Sequence, residues 1–335
     1  MTQVTALRLA DAKTGWAGGL GWIARTDDGG KGWQLQYEGD GEVNQLFALN
    51  GERAWATLKS GDPAQYILLH TTDGGRHWTK VGKAPNGGFL HFISDSEAYS
   101  ANARTTDGGR TWTKLPAPAG IVGDAYYRDS RNGWAVTQTK GQFSFVRTSD
   151  GGRTWVQAMT RTWEGEISGV TIRSTGKSDA WIELDGGYGM TQRSYSLFHT
   201  ADGGKHWTTV IAKGTAGGGP APGFKTAEEG VPSNAGNSPG ALYVVNPTVA
   251  FMSGQCQACD KSNTMGHTTN GGKTWLNGKA EFGGYGEPLV AAADAKHVWW
   301  ITTDNSEPSV MYTSSDGGAH WTKAHTFDKP EAPKS

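Results

Sequence analysis

Along the chain, apolar and polar residues alternate over short stretches that break at Asp, Asn, Gly or Ser. The stretches read ALRLADAKTGW, QLFALNGERAW, FLHFISDSEAY, DAYYRDSRNGW, TIRSTGKSDAW, ALYVVNPTVAF and LVAAADAKHVW. Period-two alternation interrupted by turn formers predicts a strand, a turn and a second strand. Each second strand opens on a small or β-branched residue followed by an aromatic. The pairs are Gly15-Trp16, Ala54-Trp55, Ala98-Tyr99, Gly133-Trp134, Ala180-Trp181, Ala250-Phe251 and Val298-Trp299.

A second pattern recurs downstream of each pair: an octapeptide of hydroxyl residue, any residue, acid, Gly, Gly, two variable residues and Trp. It reads TDDGGKGW at 26–33, TTDGGRHW at 71–78, TTDGGRTW at 105–112 and TSDGGRTW at 148–155. It returns as TADGGKHW at 200–207, TTNGGKTW at 268–275 and SSDGGAHW at 314–321. Two glycines after an acid supply the positive φ of a tight turn, while hydroxyl and carboxylate oxygens accept backbone N–H bonds there. Asp28, Asp73, Asp107, Asp150, Asp202 and Asp316, with Asn270 in the sixth copy, are therefore expected to brace turns. Asn keeps the acceptor oxygen and loses the charge, which suits a brace and not a catalytic carboxylate. The tryptophan covers the turn and supplies apolar burial.

Together the two patterns make a four-stranded antiparallel repeat. Seven copies in 335 residues average about 48 residues each, the length of a propeller blade and longer than leucine-rich or helical repeats. The expected fold is all-β, a seven-bladed β-propeller of four-stranded antiparallel blades. Repeat boundaries fall near 1–40, 41–83, 84–118, 119–161, 162–213, 240–280 and 281–327. Residues 1–327 are expected to form one domain with a Gly/Pro-rich loop insertion at 213–240, and 328–335 a loose tail. Ring closure is expected to rest on packing between the first and last repeats, without an exchanged strand.

The octapeptides resemble Asp-box repeats, also called BNR repeats. With aromatic strands such as NGWAV before TSDGGRTW, the repeats are similar to those of bacterial proteins of the photosystem II stability/assembly factor family. The resemblance spans nearly the whole chain. It implies a seven-bladed propeller outside the cytoplasm that binds partner proteins and has no catalytic centre. Asp boxes also occur in sialidases, xyloglucanases and sortilin-type receptors, so they mark fold better than function.

Composition narrows the partners. Thirty-one Lys and Arg against 32 Asp and Glu give a net charge of -1, so no bulk field attracts nucleic acid or an anionic membrane. No apolar run approaches the ~18 residues of a membrane span, and MTQVTALRLADAKTGW carries neither a basic start nor an apolar core. The expected location is secreted, periplasmic or cell-envelope, with the signal peptide absent from this chain, and the expected state is a monomer.

Function is sought where the repeats differ. From each octapeptide tryptophan to the next aromatic-strand residue the spacing is 22, 21, 22, 26, 44 and 24, and the excess lies between Trp207 and Phe251. Long loops around the fifth and sixth repeats nominate Trp163, Glu164, Glu166, Tyr188, Arg193, Tyr195, Tyr285 and Glu287 as rim residues that meet a partner. Cys256 and Cys259 have CxxC spacing without the strand-to-helix context of redox enzymes, and a loop disulfide is expected. Zinc with Asp260 and His267 would use scattered ligands, so no metal is expected. Arg25, His70, Arg104, Arg147, His199, His267 and Thr313, three residues before each octapeptide acid or its Asn substitute, read as side chains flanking the turn.

No catalytic residue and no cofactor is assigned. The expected function is a non-catalytic extracytoplasmic binding or assembly scaffold that presents a rigid propeller face to a protein or glycan partner. The alternative is a carbohydrate-active enzyme, a glycoside hydrolase or sialidase-like, with Glu164, Glu166, Asp185 and Glu287 as candidate carboxylates at the channel mouth. The Arg-Ile-Pro motif of sialidases is absent, and so are a P-loop and HExxH.

Overall fold

A computed structural model describes residues 1–225, 236, 238–256, 262–304 and 306–328. It is an all-β β-propeller fold of six hydrogen-bonded sheets, in which each strand pairs antiparallel with its neighbour in sequence. The first sheet comprises β1 (Val4–Leu9), β2 (Gly15–Thr26), β3 (Gln34–Ala48), β4 (Ala54–Ser60), β5 (Gln65–Thr71) and β6 (Thr79–Ala84). The second holds β7 (Leu90–Phe92), β8 (Ala98–Ser100), β9 (Ala103–Thr105) and β10 (Thr113–Lys114). The third holds β11 (Ile121–Tyr127), β12 (Gly133–Thr139), β13 (Gln142–Thr148) and β14 (Val156–Thr162). In the fourth are β15 (Gly169–Arg173), β16 (Ala180–Gly189), β17 (Gln192–Thr200) and β18 (Thr208–Lys213). The fifth contains β19 (Ser238–Val244), β20 (Ala250–Cys256), β21 (Ser262–Thr268) and β22 (Leu276–Phe282). The sixth contains β23 (Leu289–Ala292), β24 (Val298–Ile301), β25 (Val310–Ser314) and β26 (Thr322–Thr326).

The expected seven separate blades are thus corrected to six sheets, of which five have four strands and the first has six. The difference lies in β3, which runs through the boundary expected near residue 40. Its first part pairs with β2 and its second with β4, and Glu42 faces both Leu20 and Lys59. Val43 just beyond the bend is fully buried, and its carbonyl accepts a 2.6 Å bond from Thr5 Oγ1. These contacts carry YEGDGEV as one strand through the boundary expected near residue 40. The first two octapeptides consequently sit in one sheet, and every later sheet carries one.

The chain divides into two compact units, Met1–Lys114 with Gly284 onward, and Leu115–Gly283. The first unit is built from both chain ends. Val4 N donates to Ser309 Oγ at 3.2 Å, Trp33 meets Trp299 edge-on at 6.4 Å, and Trp22 stacks on Phe327 at 6.0 Å. Among the described residues the last sheet takes its four strands consecutively, with none exchanged from the start of the chain. Asp328, at the start of the expected loose tail, is tied to the N-terminus by a 2.7 Å ion pair.

Each aromatic pair read from the sequence opens a strand and puts its ring in a core. Trp16, Trp55, Trp134, Trp181 and Trp299 rank among the largest fully buried side chains. In the first unit Trp55 stacks on Phe92 at 3.8 Å, joining the first two sheets. In the second unit Trp181 clusters with Tyr195, Leu197, Val210 and Met252.

Candidate binding site

The octapeptides explain where most of the regular carboxylates are spent. In the copy at 148–155, Thr148 Oγ1 donates to Asp150 Oδ1 at 2.8 Å and accepts from Gly152 N at 2.8 Å. Asp150 Oδ1 also accepts from Thr154 N, and Oδ2 takes the Thr154 hydroxyl at 2.7 Å. Gly151 and Gly152 have φ of 79° and 85°, which L side chains resist. The same hydroxyl-to-acid bond recurs with Asp28, Asp73, Asp107, Asp202, Asn270 and Asp316.

A residue the sequence reading passed over completes the turn, the one before the tryptophan. His77, His206 and His320 place Nδ1 2.6 Å from the second carboxylate oxygen, and Thr111 donates its hydroxyl there. With Asn270 the amide Nδ2 donates to Thr274 Oγ1 at 2.8 Å, so the hydroxyl changes from donor to acceptor. Its signal was legible: this position is His or Thr in every copy but the first, where it is Gly32.

These bonds favour the ionised acid and lower its pKa. The N–H of Thr154, then its hydroxyl and that of Thr148, bring Asp150 down to about 2. Asp73, Asp107, Asp202 and Asp316 are held well below the ordinary range by the bonds of His77, Thr111, His206 and His320 respectively. A folded pKa below the unfolded one contributes stability above the unfolded value, and this is lost as pH falls through the folded one. We expect the urea midpoint to drop between about pH 4 and pH 2, and the drop to be shallower in Asp150→Asn, which keeps the acceptor and cannot titrate.

Of the basic residues three before each acid, Arg25 and Arg147 lie over the aromatic of the neighbouring strand and reach the next repeat, whereas Arg104 pairs with Glu97 of its own repeat. Arg25 sits 4.9 Å over Trp16 and donates to the Gly51 and Gly74 carbonyls. Arg147 lies 5.6 Å over Trp134, with Nη2 donating to Lys177 O at 3.0 Å. His70 stacks on Trp55 at 4.3 Å and His199 lies tilted against Trp181 at 4.0 Å, and burial lowers the pKa of both. Arg25 and Arg147 serve as ties between repeats, beyond the turn-flanking role expected.

The irregular chemistry of the second unit gathers on the hairpin β16–β17. Asp185 faces Tyr195 in register, and Tyr188 faces Arg193. Arg193 Nη1 donates to Asp185 Oδ2 at 2.8 Å, while the guanidinium carbon lies 4.2 Å over the Tyr188 ring. Burial raises the Asp185 pKa against the opposing pull of Arg193. Tyr188 is 60% exposed and Met190, at the tip, fully so.

A strap from the insertion covers the hairpin flank. Ser194 Oγ donates to Gly218 O at 3.1 Å, Ser196 Oγ to Pro222 O at 2.9 Å, and Gly217 N to Gln192 Oε1 at 2.8 Å. The backbones of Gly189 and Gly217 lie so close that a Cβ on Gly189 would stand 2.2 Å from the Gly217 oxygen. Beyond them Phe224 stacks on Phe198 at 6.1 Å, and Arg161 lies over both rings while donating to Gly223 O. Composition predicted irregular chain here and gave no sign of what it packs on.

Of the eight expected rim residues, Tyr188 and Arg193 are brought together. Tyr195 is buried, its hydroxyl donating to Gly236 O at 3.3 Å, because the insertion covers it. Its pKa is raised by burial and by Glu183 and Asp185. Trp163 is half-buried and Glu164 and Glu166 exposed on the connection from β14 to β15. That connection reaches the hairpin through Ser168, whose N donates to Asp185 O at 2.9 Å. Tyr285 and Glu287 belong to the first unit, exposed before β23. Cys256 is buried at the end of β20, whereas Cys259 and Asp260 lie outside the described residues, so the expected loop disulfide does too. Among the described residues no three His, Cys, Asp or Glu side chains gather as a metal site. Among the described residues no helix is long and apolar enough to cross a membrane.

No family model matches the chain, and no curated protein matches it in sequence. Similar solved structures include YCF48 from Cyanidioschyzon merolae, at 16% identity over 94% of each chain with a TM-score of 0.51. YCF48 bound to a D1 peptide aligns at 17% identity over 95% of this chain and 91% of that one, with a TM-score of 0.49. A polysaccharide lyase of family PL25, an ulvan lyase bound to a sulfated oligosaccharide, aligns at 11% identity over 84% and 82%, with a TM-score of 0.50. At these identities the likeness is one of fold alone, the β-propeller.

Proposed function

We propose that the chain is an exported, non-catalytic docking scaffold whose β16–β17 hairpin engages a protein partner. The observation that carries this reading is a projecting tip, Tyr188-Gly189-Met190, stiffened from the side by a glycine-rich strap. Exposed Tyr and Met beside a stacked Arg is the composition of protein-binding hot spots. Ordering before contact lowers the entropy cost of binding. The family resemblance of the repeats points the same way. The regular carboxylates are engaged within their own turns and are not arranged for chemistry.

The test places a photo-crosslinking residue at position 190 or, as a control, at Val156 on the edge of the third sheet. With envelope proteins of the source cells, one discrete adduct is expected from position 190 and none from 156. Tyr188→Ala is expected to weaken its formation about tenfold or more, the loss of one hot-spot side chain. Equal labelling from both positions would refute the docking role, as would cleavage of a purified polysaccharide that disappears in Asp185→Asn.

A further inference from the structure

In the first unit, a crevice of about 300 Å³ opens beside β6, lined by His70, Asp73, His77, Lys80 and Arg110. His70 occupies the position from which Arg25 and Arg147 reach across to the next repeat. An imidazole is shorter than a guanidinium and offers fewer donors. Where arginine reaches across, His70 stays stacked on Trp55 and its Nε2 is buried with no hydrogen-bond partner. Such an atom calls for a partner, since burying an unpaired polar group is costly.

The surroundings set the sign of that partner. Lys80 and Arg110 bring two positive charges to the crevice. Arg110 spends Nη1 on the Asp107 carbonyl at 3.1 Å, which steadies the guanidinium and leaves its other donors. Asp73, the lining carboxylate, is already engaged by Thr71 Oγ1, His77 N and His77 Nδ1. The corresponding crevice of the second unit, near Lys205, has Arg147 in place of the histidine and Gln157 in place of Lys80.

We propose that the crevice at His70 binds a small tetrahedral oxyanion of the phosphate or sulfate class, free or as the terminal ester of a larger ligand. Lys80 and Arg110 supply charge-assisted bonds, and the Nε2–H tautomer of His70 supplies the buried donor. The site is independent of the docking hairpin, which lies in the other unit.

The experiment is a titration of inorganic phosphate and sulfate, with chloride at matched ionic strength, read from the ¹⁵N resonance of His70 Nε2 and the ³¹P line width. Saturable shifts with the two oxyanions and none with chloride are expected. The exposed pair Lys80→Ala and Arg110→Ala is expected to weaken binding about tenfold or more with the fold unchanged. His70→Phe keeps the stacked ring, removes the buried donor and should reduce the ³¹P broadening. Lys205→Ala should change nothing. Competition by a phosphomonoester against a sulfated oligosaccharide then identifies the natural source, and either order supports the site. A response that chloride reproduces, or that survives the Lys80 and Arg110 substitutions, would overturn the proposal.

Discussion

Trp134→Ala will destabilise the protein by about 3–5 kcal/mol, the range for truncating a buried aromatic. Trp134 is 1% exposed and packs edge-on against Trp207 at 5.6 Å, under the guanidinium of Arg147. Its loss opens a cavity that rigid strands cannot collapse into, and it removes the platform under a tie between repeats. Arg147→Ala alone should cost less, because part of its side chain meets solvent. The double variant should cost less than the two added, since one interaction is shared. Denaturant unfolding of the four proteins checks this; additive losses would show that ring and guanidinium act separately.

Thr148→Val will cost about 1–3 kcal/mol although the side chain keeps its volume. Thr148 is 1% exposed, so the change opens no cavity and introduces no clash. It leaves the buried Gly152 N–H without its acceptor and takes a donor from Asp150. Thr148→Ser should be close to neutral, because Ser314 makes the same two bonds in the last octapeptide, to Asp316 Oδ1 at 2.8 Å and from Gly318 N at 2.9 Å. A valine variant as stable as the serine one would mean that the turn is held by its glycines and tryptophan alone.

Much of the local architecture was legible because it depends on neighbours in sequence. The octapeptide closes within itself, so Thr148, Asp150 and the glycine pair predict their own turn. The aromatic pairs open strands because a buried ring must follow a residue small enough for close packing, as Gly133 and Ala180 are. The function of the position before the tryptophan was present as His or Thr and was overlooked. Arg193 and Tyr188 were nominated from loop length, yet their stacking and the Asp185 bond depend on register across β16–β17, which length does not give. Tyr195 closes the expected loop GGYGMTQRSY at 186–195, whereas strand β17 begins at Gln192 and buries it.

What the amino-acid order determined by itself was everything with a short reach: strand, turn and brace, repeated down the chain. Where one sheet ends and another begins was decided in three dimensions, since whether Gly39-Asp40-Gly41 breaks a strand depends on Thr5 of β1 binding the carbonyl of the buried Val43 just beyond it. The same holds for the glycine-rich strap, which has no preferred conformation of its own and takes one only from the serine hydroxyls and the bare backbone of the hairpin beneath it. Short-range bonds are written in consecutive residues, whereas these contacts join segments that only folding brings together.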